Sequence, residues 1–189
     1  MKKSLPHSFA TIGMVIAGEK YSTSPILEIA VDIFEESGVA YSWSSYVYPA
    51  PWSSVEVDFL IDKPEYSSIY KSAMSDGIEP SEMVDSLLAL LSKYNNYGDY
   101  PPIIGWDVAF NKQVFYSYCS KLSIDLPVSW NWFSIKDTYR YKGYEAYDSQ
   151  FIDSIDLPKP SLRSASLYSN DDYELWHSHL KRISNESSN

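Results

Sequence analysis

The chain has 189 residues, a formal net charge of -10 and an aromatic fraction of 16%. This length suits one domain with a buried core, and the aromatic content excludes an acidic disordered chain. The excess of 25 acidic over 15 basic residues argues against a broad basic surface for nucleic acid. The single cysteine excludes a disulfide framework and favours a reducing, cytoplasmic compartment.

The first half of the chain predicts three β-strands joined by short turns. Residues 9–18 follow two lysines and imitate a short signal peptide, but Thr11 and Gly13 interrupt the apolar run, so we expect a buried strand. No apolar run is long enough to span a membrane, and no membrane partner is expected. After a flexible start over 1–7, an antiparallel meander is predicted from strands at 9–17, 26–34 and 39–48.

The second half predicts helices alternating with short strands. Residues 49–80 are expected to be a flap or irregular insertion, and Ser81 is the candidate N-cap of a helix. The apolar stripe of that helix is Met83, Val84, Leu87, Leu88, Leu90 and Leu91. The elements expected after it are a strand at 101–105, a helix at 109–121, a short piece at 132–139, a loop at 143–160, a helix at 162–183 and a flexible tail at 184–189. This order favours an α/β fold, a mixed sheet flanked by helices, in one domain over 8–183.

Four segments of the chain form a set whose order and spacing are informative: 9–18 with 26–30, then Ile104-Gly-Trp-Asp-Val-Ala-Phe-Asn111, then Trp132-Phe-Ser-Ile-Lys-Asp-Thr138, then 163–168 followed by Asp172 and Leu175. Together they resemble the DEDDh-type 3′–5′ exonucleases, closest to the phage DexA-type enzymes and more distantly to RNase T. The resemblance covers nearly the whole chain and implies a ribonuclease H-like exonuclease fold. It also implies a phage or mobile-element origin, and therefore a host cytoplasm as the location.

The same resemblance implies a catalytic site that this chain has lost. Such enzymes hydrolyse phosphodiesters with two divalent ions about 4 Å apart, held by convergent carboxylates. Their first-strand Asp and Glu fall on Gly13 and Val15, and their other two carboxylates fall on Asn111 and Tyr168. Their general-base histidine falls on Arg163, so none of the five positions is kept. The prediction is a pseudo-exonuclease that needs no metal and acts by binding.

A diverged but active 3′–5′ exonuclease, acting on single-stranded DNA or RNA ends, is the alternative. It would use Mg²⁺ or Mn²⁺ held by displaced ligands, for which Asp107, Asp172 and Glu28 are the candidates. Solvated acidic residues on a helix face and in a turn are the simpler interpretation of these acids.

Aromatic side chains are the best candidates for a binding surface. Trp43, Tyr46, Trp52 and Trp106 can anchor a protein interface or stack on bases. Lys136, Arg140 and Arg163 belong to the only basic cluster, where phosphate contact is a further hypothesis. With so few basic residues, a protein partner is favoured over single-stranded nucleic acid. Mimicry of nucleic acid by the acidic surface is a third alternative. The oligomeric state is not predicted.

Overall fold

The computed structural model describes residues 8–35, 38–55, 60, 64–94, 100–105, 108–126 and 130–134. Its first three strands pair antiparallel in chain order, which confirms the predicted meander. The segment that imitates a signal peptide contributes most of its residues to strand β1, and nearly all of that strand is buried in the sheet. These strands are β1 (Ser8–Ile16), β2 (Ile26–Glu35) and β3 (Gly38–Tyr46).

Two short parallel strands extend the sheet on the other side of β1. β4 (Ile103–Gly105) pairs with β1 through Ala10 and Ile103, and β5 (Trp132–Ser134) pairs with β4. The strand order is β3-β2-β1-β4-β5. The sheet is therefore mixed and contains the antiparallel three-strand meander, as predicted.

Three helices complete the described part of the chain: α1 (Pro64–Asp76), α2 (Pro80–Lys93) and α3 (Val108–Lys121). α2 and α3 were predicted, but α1 corrects the expectation of irregular structure throughout 49–80. Its serine-rich sequence has little overall apolarity, which hid the signal. The signal is nevertheless present, because Tyr66, Ile69, Tyr70 and Ala73 follow helical spacing and pack on the sheet.

The start of α2 also differs from the prediction. Glu79, not Ser81, is the N-cap residue, and its side chain makes no capping hydrogen bond. Pro80 is the first residue of the helix. Proline is favoured there because its fixed φ suits the helix and the N–H it lacks would have had no partner within the helix.

The two faces of the sheet are covered by different elements. We call the first the core face: Ala10, Ile12 and Met14 of β1 pack there in a cluster with Leu87 of α2 and Phe115 of α3. The opposite face, which we call the α1 face, carries Thr11, Gly13 and Val15, since successive residues of a strand point to opposite sides. α1 packs on this second face through Ala73.

Several predicted segments lie outside the described residues. These are the start at 1–7, the loop at 143–160, the helix at 162–183 and the tail at 184–189. In the part of the chain that the structure describes, no helix combines the length and the apolarity that crossing a bilayer requires.

Candidate functional site

Gly13 and Val15 lie together on the α1 face of the sheet. Gly13 is opposite Ala30 of β2, and Val15 is opposite Glu28. Both residues of the pair are buried. Positions 13 and 15, which the resemblance assigns to two metal-binding carboxylates, are therefore adjacent on one face of the sheet. Their side chains are a hydrogen atom and an isopropyl group, and neither can bind a metal ion.

The surroundings of Val15 are apolar. Its side chain is only 1% exposed and belongs to a second buried cluster with Leu27, Ala30 and Ala73. Partly buried side chains from the segment after β3 and from α1 pack against this cluster: Val55, Tyr66, Ile69 and Tyr70. Each buried methylene of such a cluster stabilises the fold by about 0.8 kcal/mol. The α1 face at Val15 is thus a second, smaller core.

Asn111 lies beside the same part of β1. It is in the first turn of α3, and its Nδ2 donates a hydrogen bond to the carbonyl oxygen of Ile12, 3.4 Å away. The N–H of Ala10 points to the β4 side, where it donates to Pro102, so the Ile12 backbone points there too. β4 ends at Gly105. Close to that end, the Asn111 amide supplies a hydrogen-bond donor to the backbone of β1.

The described positions that the resemblance assigns to catalytic residues therefore lie close together. Gly13 and Val15 share a face, and Asn111 bonds to the residue before Gly13. Arg163 and Tyr168 lie outside the described residues, so the structure does not test whether they join this group. Asp107 and Asp172, the candidates for displaced ligands, also lie outside the described part.

Among the residues that the structure describes, two carboxylates of β2 lie near this part of the α1 face. Glu28 is 8% exposed and opposite Val15, and half-buried Asp32 is opposite Thr11. No three His, Cys, Asp or Glu side chains within the described ranges stand close enough to hold one metal ion. A pair of divalent ions needs several hard oxygen ligands, so glycine and valine at the two β1 positions do not fit such a pair.

α3 is attached to the sheet through a tyrosine. The N–H of Ile26 donates to Tyr118 Oη at 2.8 Å, and the ring of Tyr118 meets that of Trp52 edge-on at 5.6 Å. Burial raises the pKa of Tyr118 to about 12, although the hydrogen bond from Ile26 acts in the opposite direction. Burial likewise raises the pKa of the neighbouring Cys119 thiol to about 12. A thiol with this pKa is protonated at neutral pH and is not a nucleophile.

The aromatic binding candidates occupy different environments. Trp43 and Trp52 are partly buried and pack against the core-face cluster, whereas the Tyr46 side chain on β3 is exposed. Tyr41 and Tyr48 are exposed as well, although we did not select them among the best candidates from the sequence. Trp106, Lys136, Arg140 and Arg163 lie outside the described residues. The binding role of all these residues stays a prediction.

Solved structures with the same arrangement of elements are 3′ exonucleases. The nuclease domain of 3'hExo, a DEDDh family member bound to rAMP, matches with a TM-score of 0.69 and 8% identity over 96% of this chain and 94% of that one. A full-length 3'-exonuclease matches with a TM-score of 0.65 and 11% identity over 97% of this chain and 84% of that one. This chain has the DEDDh exonuclease fold.

A more distant match adds a protein that holds a single strand. E. coli exonuclease I in complex with a dT13 oligonucleotide matches with a TM-score of 0.57 and 13% identity. The match covers 71% of this chain but only 29% of that larger one. At the level of sequence, neither a protein-family model nor a curated protein matches the chain. The DEDDh fold is thus established by three-dimensional similarity, and the site chemistry rests on this chain's own residues.

Proposed function

We propose that this protein is a pseudo-exonuclease: a DEDDh-fold protein that does not cleave and acts by binding. One observation carries the proposal. The β1 positions that the resemblance assigns to two carboxylates are Gly13 and Val15, and Val15 is part of a buried apolar cluster. An ionised ligand at position 15 would have to be removed from water among aliphatic side chains, which is costly without a bound cation.

The Asn111 hydrogen bond supports the same conclusion. An amide donates to the Ile12 carbonyl, whereas an ionised carboxylate accepts hydrogen bonds only and would face that oxygen unfavourably. The residue at this position therefore maintains the backbone. Absence of clustered carboxylates also removes like-charge repulsion, so a site of this composition stabilises the fold.

The favoured partner is a protein, with single-stranded nucleic acid as the second candidate. Tyr41 and Tyr46 of β3, and Tyr48 just after it, are exposed, with Tyr41 and Tyr46 on opposite faces of the sheet. Tyrosine is enriched at protein interfaces and also stacks on bases. The net charge of -10 disfavours contact with phosphates, which ranks the protein partner first.

Cleavage is tested by incubating the purified full chain with 5′-labelled single-stranded DNA and RNA in Mg²⁺ or Mn²⁺. We expect the strands to keep their length, with and without EDTA. Metal-dependent shortening from the 3′ end that EDTA abolishes would refute the proposal. Anisotropy of the same labelled strands at two salt concentrations reports whether they are bound without cleavage, since phosphate contacts weaken as salt rises.

A diverged metal-dependent 3′–5′ exonuclease is the second candidate, and Glu28 is the observation that favours it. Its carboxylate belongs to the α1 face directly opposite Val15, one strand away from the expected ligand position. In this alternative Glu28 joins Asp107 and Asp172 to bind Mg²⁺ or Mn²⁺. Glu28→Gln should then abolish digestion while Asp32→Asn, a matched change on the same strand, preserves it. Equal absence of digestion in both variants and in the unchanged chain supports the pseudo-exonuclease.

A further inference from the structure

β3 is the edge strand of the sheet, and its outward backbone groups can be assigned from one hydrogen bond. The N–H of Val47 donates to Leu27 on the β2 side at 3.0 Å. Because backbone direction alternates along a strand, Tyr41, Trp43 and Ser45 also bond towards β2. The N–H and C=O groups of Ser42 and Ser44 therefore point away from the sheet. In the described part of the chain nothing hydrogen-bonds to these outward groups.

The open part of this edge has two definite ends. At its C-terminal end, the N–H of Ile78 donates to Tyr46 at 3.0 Å, and the N–H of Tyr48 donates to Ile78 at 2.8 Å. At its N-terminal end, the pairing with β2 shifts between Tyr41 and Val39 and leaves Ala40 as a bulge. The regular, open stretch is thus 41–45, and its central residue is Trp43.

This stretch lacks the side chains that usually prevent strand edges from pairing. Proteins block an exposed edge with lysine, proline or inward-pointing charges. No charged residue occurs anywhere from 38 to 55, in a chain with 40 charged side chains (25 acidic plus 15 basic). β3 contains no proline, and Val39 and Tyr41 are 56% and 46% exposed.

We propose that β3 pairs antiparallel with β3 of a second copy of this chain, which joins the two sheets across a two-fold axis at Trp43. In this register Ser42 faces Ser44 of the other copy, and Tyr41 faces Ser45. Each outward N–H and C=O of the two serines then has a partner, and the Trp43 side chains lie beside each other. The bulge and the Ile78 pairing select this register, because among the described residues of this edge the regular stretch without a hydrogen-bonded neighbour is 41–45, and its centre is Trp43.

The absence of charged side chains on β3 is the reason to propose a second copy of this chain as its partner. A strand with no charged side chain offers nothing to recognise a charged peptide, which argues against a partner selected by charge. Two copies, each with a net charge of -10, repel each other over most of their surfaces. The uncharged strip lets them meet without burying like charges. This inference does not rest on the proposed function, because an active enzyme could pair in the same way.

Sedimentation velocity of the purified full chain tests the pairing, over concentrations from about 1 to about 200 µM to cover weak association. We expect twice the 21.6 kDa chain mass at the upper end. Ser44→Lys and Ser44→Glu should each weaken association at least about tenfold, because the two position-44 side chains are diagonal neighbours on one face across the axis and then carry like charges. An equimolar mixture of the two variants should recover association, since these diagonal neighbours then carry opposite charges.

Two further variants make the outcome specific to the edge. Ser44→Pro removes an outward N–H without breaking a bond to β2, and should also give monomers. Ser120→Lys adds the same charge at an exposed position of α3 and should not affect association. Circular dichroism establishes that each variant is folded. A monomeric unchanged chain across the range would overturn the proposal. So would dimers that persist in Ser44→Lys and Ser44→Pro, or failure of the mixture to associate.

Discussion

The two faces of β1 show how one strand can serve two unequal cores. On the core face, Ile12 and Met14 are covered by large side chains from α2 and α3, among them Leu87 and Phe115. On the α1 face, Val15 packs in a smaller cluster with Leu27 and alanines, against partly buried side chains of α1. The core face provides most of the burial. The α1 face near Val15 buries fewer side chains in a smaller cluster.

This difference indicates on which face of the sheet substitutions are tolerated. The core face depends on close packing of many large groups, so substitution there is costly. The α1 face requires only that its groups be compatible with burial, and glycine, alanine and valine meet that need. Side chains that would hold metals can thus be replaced by small apolar ones without disturbing the packing on the other side of the sheet.

The largest expected effect is on the core face. Leu87→Ala should lower the free energy of unfolding by about 2–5 kcal/mol, because it leaves a cavity among fully buried side chains. Leu88→Ala, on the same helix but half-buried, is the matched control and should cost less. Urea denaturation measures both. Equal losses would mean that the core face is not the main core.

A charge on the α1 face should have the next largest effect. Val15→Glu should cost about 3 kcal/mol at neutral pH, because it buries a carboxylate among aliphatic groups. Burial raises the pKa of such a carboxyl, so its neutral form is favoured in the folded state. The lost stability should therefore return as pH falls, and be lost again as pH rises through the raised value. Val15→Gln is the uncharged control, and its cost should not vary with pH. A pH-independent cost for Val15→Glu would contradict a closed apolar face.

Removal of one hydroxyl tests the attachment of α3 to the edge of the core face. Tyr118→Phe leaves the N–H of Ile26 without its acceptor and should lower stability by about 1–3 kcal/mol. The pKa of Tyr118 is raised in the folded state from 10.0 to about 12, so this residue stabilises the fold fully below pH 10. That contribution is lost as pH rises through about 12.

Alkaline unfolding separates the two parts of this effect. The unchanged chain should lose stability between pH 10 and 12 more steeply than Tyr118→Phe does. Cys119→Ala serves as the control for the neighbouring buried thiol, whose pKa is also raised to about 12. Parallel pH profiles for the unchanged chain and Tyr118→Phe would show that the hydroxyl is not buried as described.

The smallest expected effect is at Asn111. Asn111→Ala removes one half-buried donor to the Ile12 carbonyl and should cost about 0.5–1.5 kcal/mol. Gln113→Ala, an exposed amide in the same helix, is the matched control and should have almost no effect. Thermal unfolding of both variants gives the comparison. A loss at position 111 no larger than at 113 would argue against a backbone-supporting role.

Some of this organisation follows from the sequence, and some requires the fold. Alternation at Leu27, Ile29, Val31 and Ile33 predicts β2, and strand periodicity places Gly13 and Val15 on one face. We did not predict α1, because serines interrupt the spacing of its apolar residues. Those residues form a recognisable stripe only once their packing against the sheet is known. The Asn111 hydrogen bond was beyond prediction too, since it depends on where β4 stops beside β1.

We propose that the face occupied by Gly13 and Val15 does not bind catalytic metal ions. Titration calorimetry of Mn²⁺ and Mg²⁺ into the full chain, up to millimolar concentrations, is the direct test of this proposal. We expect heats no larger than those of dilution, and no change on substitution of Glu28 by Gln. Saturable binding of one or two ions that Glu28→Gln removes would contradict it and would establish a displaced metal site.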